Sequence, residues 1–131
     1  DIMIDICDLP IVYNSSNLRS IILSITSIEE NKKGVGFTLV KNKKDTSFMG
    51  LITDGDLRRA LFKNVSGDWD NIIAENICTK NPKTIDKNAT VIEAIEKMEK
   101  NKSGSITCLG VTSNKEVIGF ITIQDLLQMN T

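Results

Sequence analysis

The chain of 131 residues contains two copies of one pattern, and this internal repeat restricts its fold more than any other feature. Residues 50–57 (GLITDGDL) match residues 119–126 (GFITIQDL) at an offset of 69 (119 minus 50), with Gly, Ile, Thr, Asp and Leu in register. Upstream, an apolar pattern starting at Leu18 recurs from Val91 at an offset of 73. Because so short a repeat cannot bury its own apolar face, we expect the two copies to stack around a shared groove.

Each copy has the same predicted order of elements: strand, helix, strand, strand and helix. Helical spacing of apolar residues predicts the first helix of each copy, with Ser15, Ser16 or Asn17 as the N-cap in the first and a capping box from Thr90 to Glu93 in the second. Extended segments that contain a proline precede both helices, at residues 9–12 and 81–85. Short apolar runs predict the remaining strands, which are residues 37–40 and 48–53 in the first copy and residues 106–109 and 117–122 in the second.

The predicted fold class is therefore α+β, a two-layer α/β arrangement of two pseudo-symmetric β-α-β-β-α modules. We place the modules at residues 1–65 and 66–131, which together form one compact unit. Residues 66–79 form a helical connection, in which Trp69 is expected to be a core anchor between the repeats. At the offset of 69, the strand at residues 37–40 is aligned with residues 106–109, and the longer loop at residues 29–36 accounts for the change in offset upstream.

Composition excludes several classes of function. A net charge of -1 gives no attraction to nucleic acid or to anionic lipid, and no apolar run is long enough to span a bilayer, so a cytoplasmic location is expected. The three cysteines have no CxxC spacing and are expected to be reduced, half-buried thiols. Because histidine is absent, the commonest general base and metal ligand are missing, and we expect neither catalysis nor a metal site in this chain. The first residue is not Met, which predicts a fragment of a longer protein.

The repeated motif places a hydroxyl and a carboxylate at a strand end, where a helix begins. Thr53 and Thr122 can bind a phosphate, because helix N-terminal N–H groups also favour an anion. Asp56 and Asp125 each offer two acceptor oxygens, which suit the neighbouring hydroxyls of a ribose. Arg58 is the candidate phosphate clamp of the first copy. The alternative is purely structural, since Thr and Asp cap helices in any fold.

The extended segments ahead of each first helix complete the predicted sites. Their backbone groups can contact a base edge, while their apolar side chains form walls. Six residues are assigned this role: Pro10, Ile11, Val12, Lys83, Thr84 and Ile85. Arg59, by contrast, is interpreted as a solvated or paired surface residue.

The chain resembles the CBS (cystathionine β-synthase) domain pair over nearly its whole length. The signature of that family is Gly, two apolar residues, Ser or Thr, two variable residues and then Asp or Asn, and it is present at residues 50–56 and at residues 119–125. The resemblance implies a regulatory domain that binds a nucleotide-type ligand, such as AMP, ATP or a CMP-linked sugar, requires no cofactor and forms a homodimer.

A narrower resemblance lies in the stretch TDGDLRR at residues 53–59, which is similar to the first CBS module of the arabinose 5-phosphate isomerase family. In that family a sugar isomerase (SIS) domain precedes the CBS pair, which implies a fused isomerase domain and a role in making a precursor of lipopolysaccharide sugars. The second copy departs from this pattern, with IQDLLQ at residues 123–128. Two alternatives stay open: the CBS pair of a sugar-activating nucleotidyltransferase, and a dimerisation scaffold without a ligand.

Overall fold

The computed structural model describes residues 3–26, 36–64, 67–99, 108–123 and 125–126. The chain divides into two compact units, a central unit of residues 9–81 and a terminal unit of residues 1–8 and 82–131. The predicted module limits, 1–65 and 66–131, stay a prediction about the repeat in sequence. The compact units have other limits than these modules, because residues 66–81 belong with the first repeat and residues 1–8 with the second.

The secondary structure alternates strands and helices in both units. The strands are β1 (Ile4–Asp5), β2 (Ile11–Tyr13), β3 (Phe37–Lys41), β4 (Phe48–Thr53), β5 (Thr84–Asp86), β6 (Cys108–Ser113) and β7 (Glu116–Thr122). The α-helices are α1 (Leu18–Thr26), α2 (Asp54–Lys63), α3 (Ala74–Ile77) and α4 (Val91–Glu99). Residues Ile6–Asp8 and Trp69–Asn71 form short 3-10 helices, and Ile123, Asp125 and Leu126 are helical. The predicted α+β class and the β-α-β-β-α order are confirmed.

The central unit is a three-stranded sheet, in the order β2-β3-β4, covered by α1. Strand β2 runs parallel to β3, whereas β3 and β4 form an antiparallel hairpin. Helix α1 begins after Asn17, whose side-chain oxygen accepts a hydrogen bond from Ser20 N at 2.9 Å, so Asn17 is the N-cap among the three candidates. Ile21 and Ile25, one turn apart, are buried from this helix against Val40 and Ile52.

The terminal unit repeats this plan with an added strand. Its sheet has the order β1-β7-β6-β5, with β5 parallel to β6 and the other pairs antiparallel. The predicted cap of α4 is confirmed, since Thr90 Oγ1 accepts a hydrogen bond from Glu93 N at 3.1 Å. Ala94 and Met98 are buried beside Leu109 and Leu126, and α4 begins 73 residues after α1, as the repeat predicts.

One part of the predicted alignment is wrong. Thr53 pairs with Phe37 and Thr122 pairs with Cys108, so the equivalent strands β3 and β6 are offset by 71 (108 minus 37) instead of 69. The hairpin turn of the second repeat is two residues shorter, which restores the offset of 69 in β7. Because a shift of two residues leaves every side chain on the same face of a strand, apolar alternation cannot detect it.

Two further expectations are corrected. Trp69 is 44% exposed and is therefore not a core anchor, because the connection forms two short helices and buries Ile72 and Ala74 in its place. Of the three cysteines, Cys78 alone is half-buried, whereas Cys7 is exposed and Cys108 is buried.

Some predicted features fall outside the described residues. They are the loop at residues 29–35, the strand start at residues 106–107, and residues 124 and 127–128 of the second motif. Within the described ranges, no helix combines the length and the apolar character that crossing a bilayer requires.

Candidate functional site

In the central unit, the predicted site residues of β2 and β4 lie at the same end of the sheet. Because β2 and β3 are parallel and β4 is antiparallel to them, the start of β2 and the end of β4 meet where Phe37 pairs with Thr53. Pro10 precedes β2 and is buried, and its carbonyl accepts hydrogen bonds from Leu39 N and from Thr38 Oγ1, both at 3.0 Å. The Pro10 carbonyl is therefore committed to the fold.

Ile11 and Val12 behave differently from each other in this edge strand. Leu39 lies opposite Ile11 in β3, but its N–H donates to the carbonyl of Pro10, the residue before Ile11. In a parallel pair the N–H and C=O of Ile11 then turn away from β3, toward the open edge of the sheet. Ile11 is half-buried and Val12 is buried in the core. The backbone N–H and C=O of Ile11 therefore face the open edge of the sheet, whereas the Val12 side chain packs in the core.

The motif of the first repeat forms the N-terminus of α2. Thr53 Oγ1 accepts a hydrogen bond from Asp56 N at 3.2 Å, and Asp56 Oδ2 accepts one from Thr53 N at 3.1 Å, which completes a capping box. Arg58 is exposed two residues farther along. The structural alternative raised from the sequence, in which Thr53 and Asp56 cap a helix, is thus present in the molecule.

The Asp56 carboxylate has further partners that the sequence did not indicate. Asp56 is 9% exposed, and its Oδ1 forms an ion pair with Arg59 Nη2 at 2.7 Å. Thr79 Oγ1 lies 3.2 Å from each carboxylate oxygen and donates to them. Thr79 reaches this position because it pairs with Leu51 on the free edge of β4. The interpretation of Arg59 as a paired residue is confirmed.

The two motif glycines are explained by a crossing backbone. A Cβ atom on Gly50 would lie closer than 3.0 Å to the carbonyl oxygen of Thr79, and one on Gly119 would do the same to the carbonyl oxygen of Ile4. In both units a segment from elsewhere in the chain crosses the same strand position, since Leu51 pairs with Thr79 and Phe120 with Ile4. Thr79 and Ile4 are therefore equivalent residues of the two repeats.

In the terminal unit, the motif residues also lie at one end of the sheet. Gly110 N donates to Lys83 O at 2.9 Å, the equivalent of the bond to Pro10, and Thr122 pairs with Cys108 at the same end of the sheet. Thr122 Oγ1 accepts from Asp125 N at 3.2 Å. No group in the described part of the chain donates to the Asp125 carboxylate, which is half-buried.

A cavity of about 500 Å³ in the terminal unit involves Ile85 but none of the other predicted site residues. It lies between α4 and the sheet, where Val91, Ala94 and Ile121 form apolar walls and Asn88 and Thr90 lie on its polar side. Lys83 is exposed and Thr84 is half-buried. The sequence did not indicate this cavity, because its walls read as ordinary core positions.

A second cavity, of about 380 Å³, lies beside α2 in the central unit. Asp56, Arg59 and Lys63 line it from the helix, with Asn71 and Asn76 from the connecting segment. Nearby, desolvation raises the pKa of the Cys78 thiol, an effect that the Lys80 ammonium partly offsets.

The groove predicted between the repeats stays a prediction, as do the ligand roles of all the site residues.

Comparison with protein families agrees with this geometry. Residues 74–129 match the family model of the CBS domain. Over 93% of its length the chain is similar to arabinose 5-phosphate isomerase KdsD from Francisella tularensis, with 41% identity over 123 residues. It is 30% identical over 120 residues, or 92% of its length, to the enzyme of the same name from Pseudomonas aeruginosa. In both cases the chain spans 34% of the relative's own length.

Solved structures show the same fold. An uncharacterised conserved protein from Pyrococcus horikoshii superposes with a TM-score of 0.78 at 25% identity, covering 98% of this chain and 88% of the other. The structure of CBSX2 in complex with AMP superposes with a TM-score of 0.70 at 19% identity, covering 99% of this chain and 92% of the other.

Proposed function

Because residues 74–129 match the CBS domain and a CBS-domain containing protein of known structure has the same fold, we propose that this chain is a regulatory pair that binds an adenosine nucleotide or a nucleotide-sugar. The observation that carries the proposal is an arrangement that recurs at one end of each sheet. In each unit a helix N-terminus, a motif threonine and aspartate, and the backbone of an edge strand meet at the same end of a sheet. CBSX2, which was solved with AMP, has the same fold.

The geometry suggests how such a ligand is recognised. The edge backbone of Ile11 or of Thr84 can contact the base, and the motif carboxylate can accept the ribose hydroxyls. The phosphate can be bound at the helix N-terminus by Thr53 or Thr122, with Arg58 as an additional cation in the first repeat. These roles belong to the proposal.

The proposed effect of binding is exerted on another domain. The relatives are arabinose 5-phosphate isomerases about three times as long as this chain, so we place the regulated activity in a fused sugar-phosphate isomerase domain. Ligand binding shifts the balance between two arrangements of the protein in proportion to its difference in affinity for them. We also propose a homodimer, which is supported by the exposed apolar side chains Phe62 on α2 and Ile92 on α4, 81% and 69% exposed.

The first experiment is a calorimetric titration of this chain with AMP, ADP, ATP and a CMP-linked sugar. Binding of one of them with a dissociation constant in or below the submillimolar range is expected, and it should be lost when Thr122 and Asp125 are both replaced by alanine. An exposed residue on another helix, Glu96, provides the matched control, since Glu96→Ala should bind as the unchanged chain does. No heat with any of the four ligands would refute the proposal.

The second experiment uses the full-length product of the gene. Its arabinose 5-phosphate isomerase turnover should change when the ligand identified by titration is added. If the full-length protein catalyses nucleotidyl transfer and shows no isomerase turnover, the pair belongs to a sugar-activating nucleotidyltransferase, which is the alternative. If the isomerase is active but its rate is the same with and without saturating ligand, regulation is refuted.

A scaffold without a ligand is the second candidate function. It is favoured by one observation, the engagement of the Asp56 carboxylate by Arg59, Thr79 and Thr53 N, which gives the first motif a purely structural role. Sedimentation of the chain distinguishes the two: a dimer that binds none of the four ligands supports the scaffold, whereas a monomer contradicts the scaffold and the proposed homodimer.

A further inference from the structure

The two copies of the motif differ in what their carboxylates contact. Asp56 accepts from the Arg59 guanidinium, the Thr79 hydroxyl and Thr53 N, and it is 9% exposed. Asp125 receives no hydrogen bond on its carboxylate from the described part of the chain, although its backbone N donates to Thr122 as Asp56 N does to Thr53. The backbone geometry is therefore shared, and the side-chain environment is not.

The sequence explains this difference. The residue equivalent to Thr79 in the terminal unit is Ile4, which has no hydroxyl and cannot donate to Asp125. The position that follows Asp125 by three, where Arg59 follows Asp56, is occupied by Gln128, which carries no charge. The hydroxyl that contacts Asp56 is thus replaced by a side chain without a donor, and the guanidinium is replaced by a side chain that cannot form an ion pair.

Resting on the proposed function, we infer that the two motifs are not equivalent: Thr79 and Arg59 occupy the Asp56 carboxylate, and the ribose hydroxyls of the ligand are bound by Asp125. The Thr79 hydroxyl lies within hydrogen-bonding distance of both Asp56 oxygens, which is the place that a ribose diol requires. A ligand at the first motif has to displace a charged and a neutral donor from a buried group, whereas at the second motif none of the described residues has to be displaced from the carboxylate.

The inference predicts one nucleotide per chain. Asp125→Asn should weaken binding at least tenfold, because it removes charged hydrogen bonds to the ligand. The matched variant Asp56→Asn should change the dissociation constant by less than about threefold, given that its carboxylate does not contact the ligand. A stoichiometry of two, or a greater loss of affinity from Asp56→Asn than from Asp125→Asn, would overturn the inference.

A deoxynucleotide identifies the hydroxyl contact itself. If AMP is the ligand, 2′-deoxyadenosine monophosphate should bind the unchanged chain and Asp56→Asn at least about fivefold more weakly than AMP does. Asp125→Asn should bind the two nucleotides with affinities that differ by less than about twofold. Equal discrimination by Asp125→Asn and the unchanged chain would contradict the assignment.

The contact between Thr79 and Asp56 is tested without any ligand. Thr79→Val and Asp56→Asn should each lower the melting temperature, and the double variant should lose less than the sum of the two single losses, because both remove the same interaction. Additive losses would overturn the inference even if no ligand binds. If the chain binds no nucleotide but the two losses of melting temperature are not additive, the proposed function is refuted and the contact between Thr79 and Asp56 is supported.

Discussion

Replacement of Gly50 by alanine tests the structural role of the motif directly. The added Cβ would lie closer than 3.0 Å to the Thr79 carbonyl oxygen and 3.2 Å from Cys78 Sγ. Because the first of these atoms belongs to the backbone, relief requires that the segment around Thr79 move away from β4. We expect the variant to fold with a clearly reduced free energy of unfolding.

The size of the effect follows from the contacts that are lost. Two backbone hydrogen bonds join Leu51 and Thr79, at 3.0 and 2.7 Å, and each contributes about 0.5–1.5 kcal/mol. The bond from Thr79 to the Asp56 carboxylate adds about 1.5–3 kcal/mol, and alanine recovers about 0.5–1 kcal/mol of chain entropy in the unfolded state. The expected net loss is about 1.5–5.5 kcal/mol.

Urea denaturation followed by circular dichroism measures this loss. Gly55→Ala is the matched control, since its Cβ would meet the end of the flexible Arg59 side chain at 3.3 Å and Thr53 Oγ1 at an ordinary contact distance of 3.6 Å, with no backbone atom in the way. Alanine also favours the helix, so the control should be unchanged or more stable by up to about 1 kcal/mol. A Gly50→Ala protein within about 0.5 kcal/mol of the unchanged chain would show that Thr79 does not cross this strand as described.

Three other perturbations address separate features. Thr90→Ala should lower the free energy of unfolding by about 1 kcal/mol because Glu93 N loses its cap; Thr90→Ser should restore most of it, and no difference between the two in a urea titration would refute the capping role. The pKa of Asp45 is lowered from its ordinary value of 3.8 by hydrogen bonds from Ser47 N and Ser47 Oγ, so its stabilising contribution is present above that ordinary value and is lost as the pH falls through the lowered pKa. Asp45→Asn should therefore show a smaller loss of melting temperature between pH 5 and pH 2 than the unchanged chain, in thermal scans, and identical slopes would contradict this. Finally, Cys7 should react with iodoacetamide before Cys78 at pH 8, because Cys7 is exposed whereas burial raises the pKa of the half-buried Cys78 thiol; peptide mass mapping that finds Cys78 modified first would refute it.

Much of the fold was predictable from local patterns. The helix spacing from Leu18 and from Val91, and the capping box at Thr90, depend on neighbours in sequence, and α1 and α4 lie where these patterns place them. The equivalent of β3 was misplaced by two residues, because such a shift preserves the face of every side chain.

The candidate site was less predictable, because its decisive contacts are distant in sequence. Thr79 lies 23 residues from Asp56 and was interpreted only as the end of a connecting segment. Nothing local indicates that its hydroxyl engages the motif carboxylate or that Ile4 takes its place in the terminal unit. The burial of Trp69 was predicted wrongly for a related reason. The pattern around it did not show that Ile72 and Ala74, three and five residues farther along, would be the buried residues.

The pairing of β1 with β7 has a consequence for synthesis on the ribosome. Ile4 in β1 pairs with Phe120 in β7. Strand β1 therefore stays unpaired while on the order of 100 further residues are translated. During that interval its open backbone is available to any other strand, and contacts so distant in sequence form slowly. The central unit, whose own crossing segment follows it directly in the chain, can complete its sheet first.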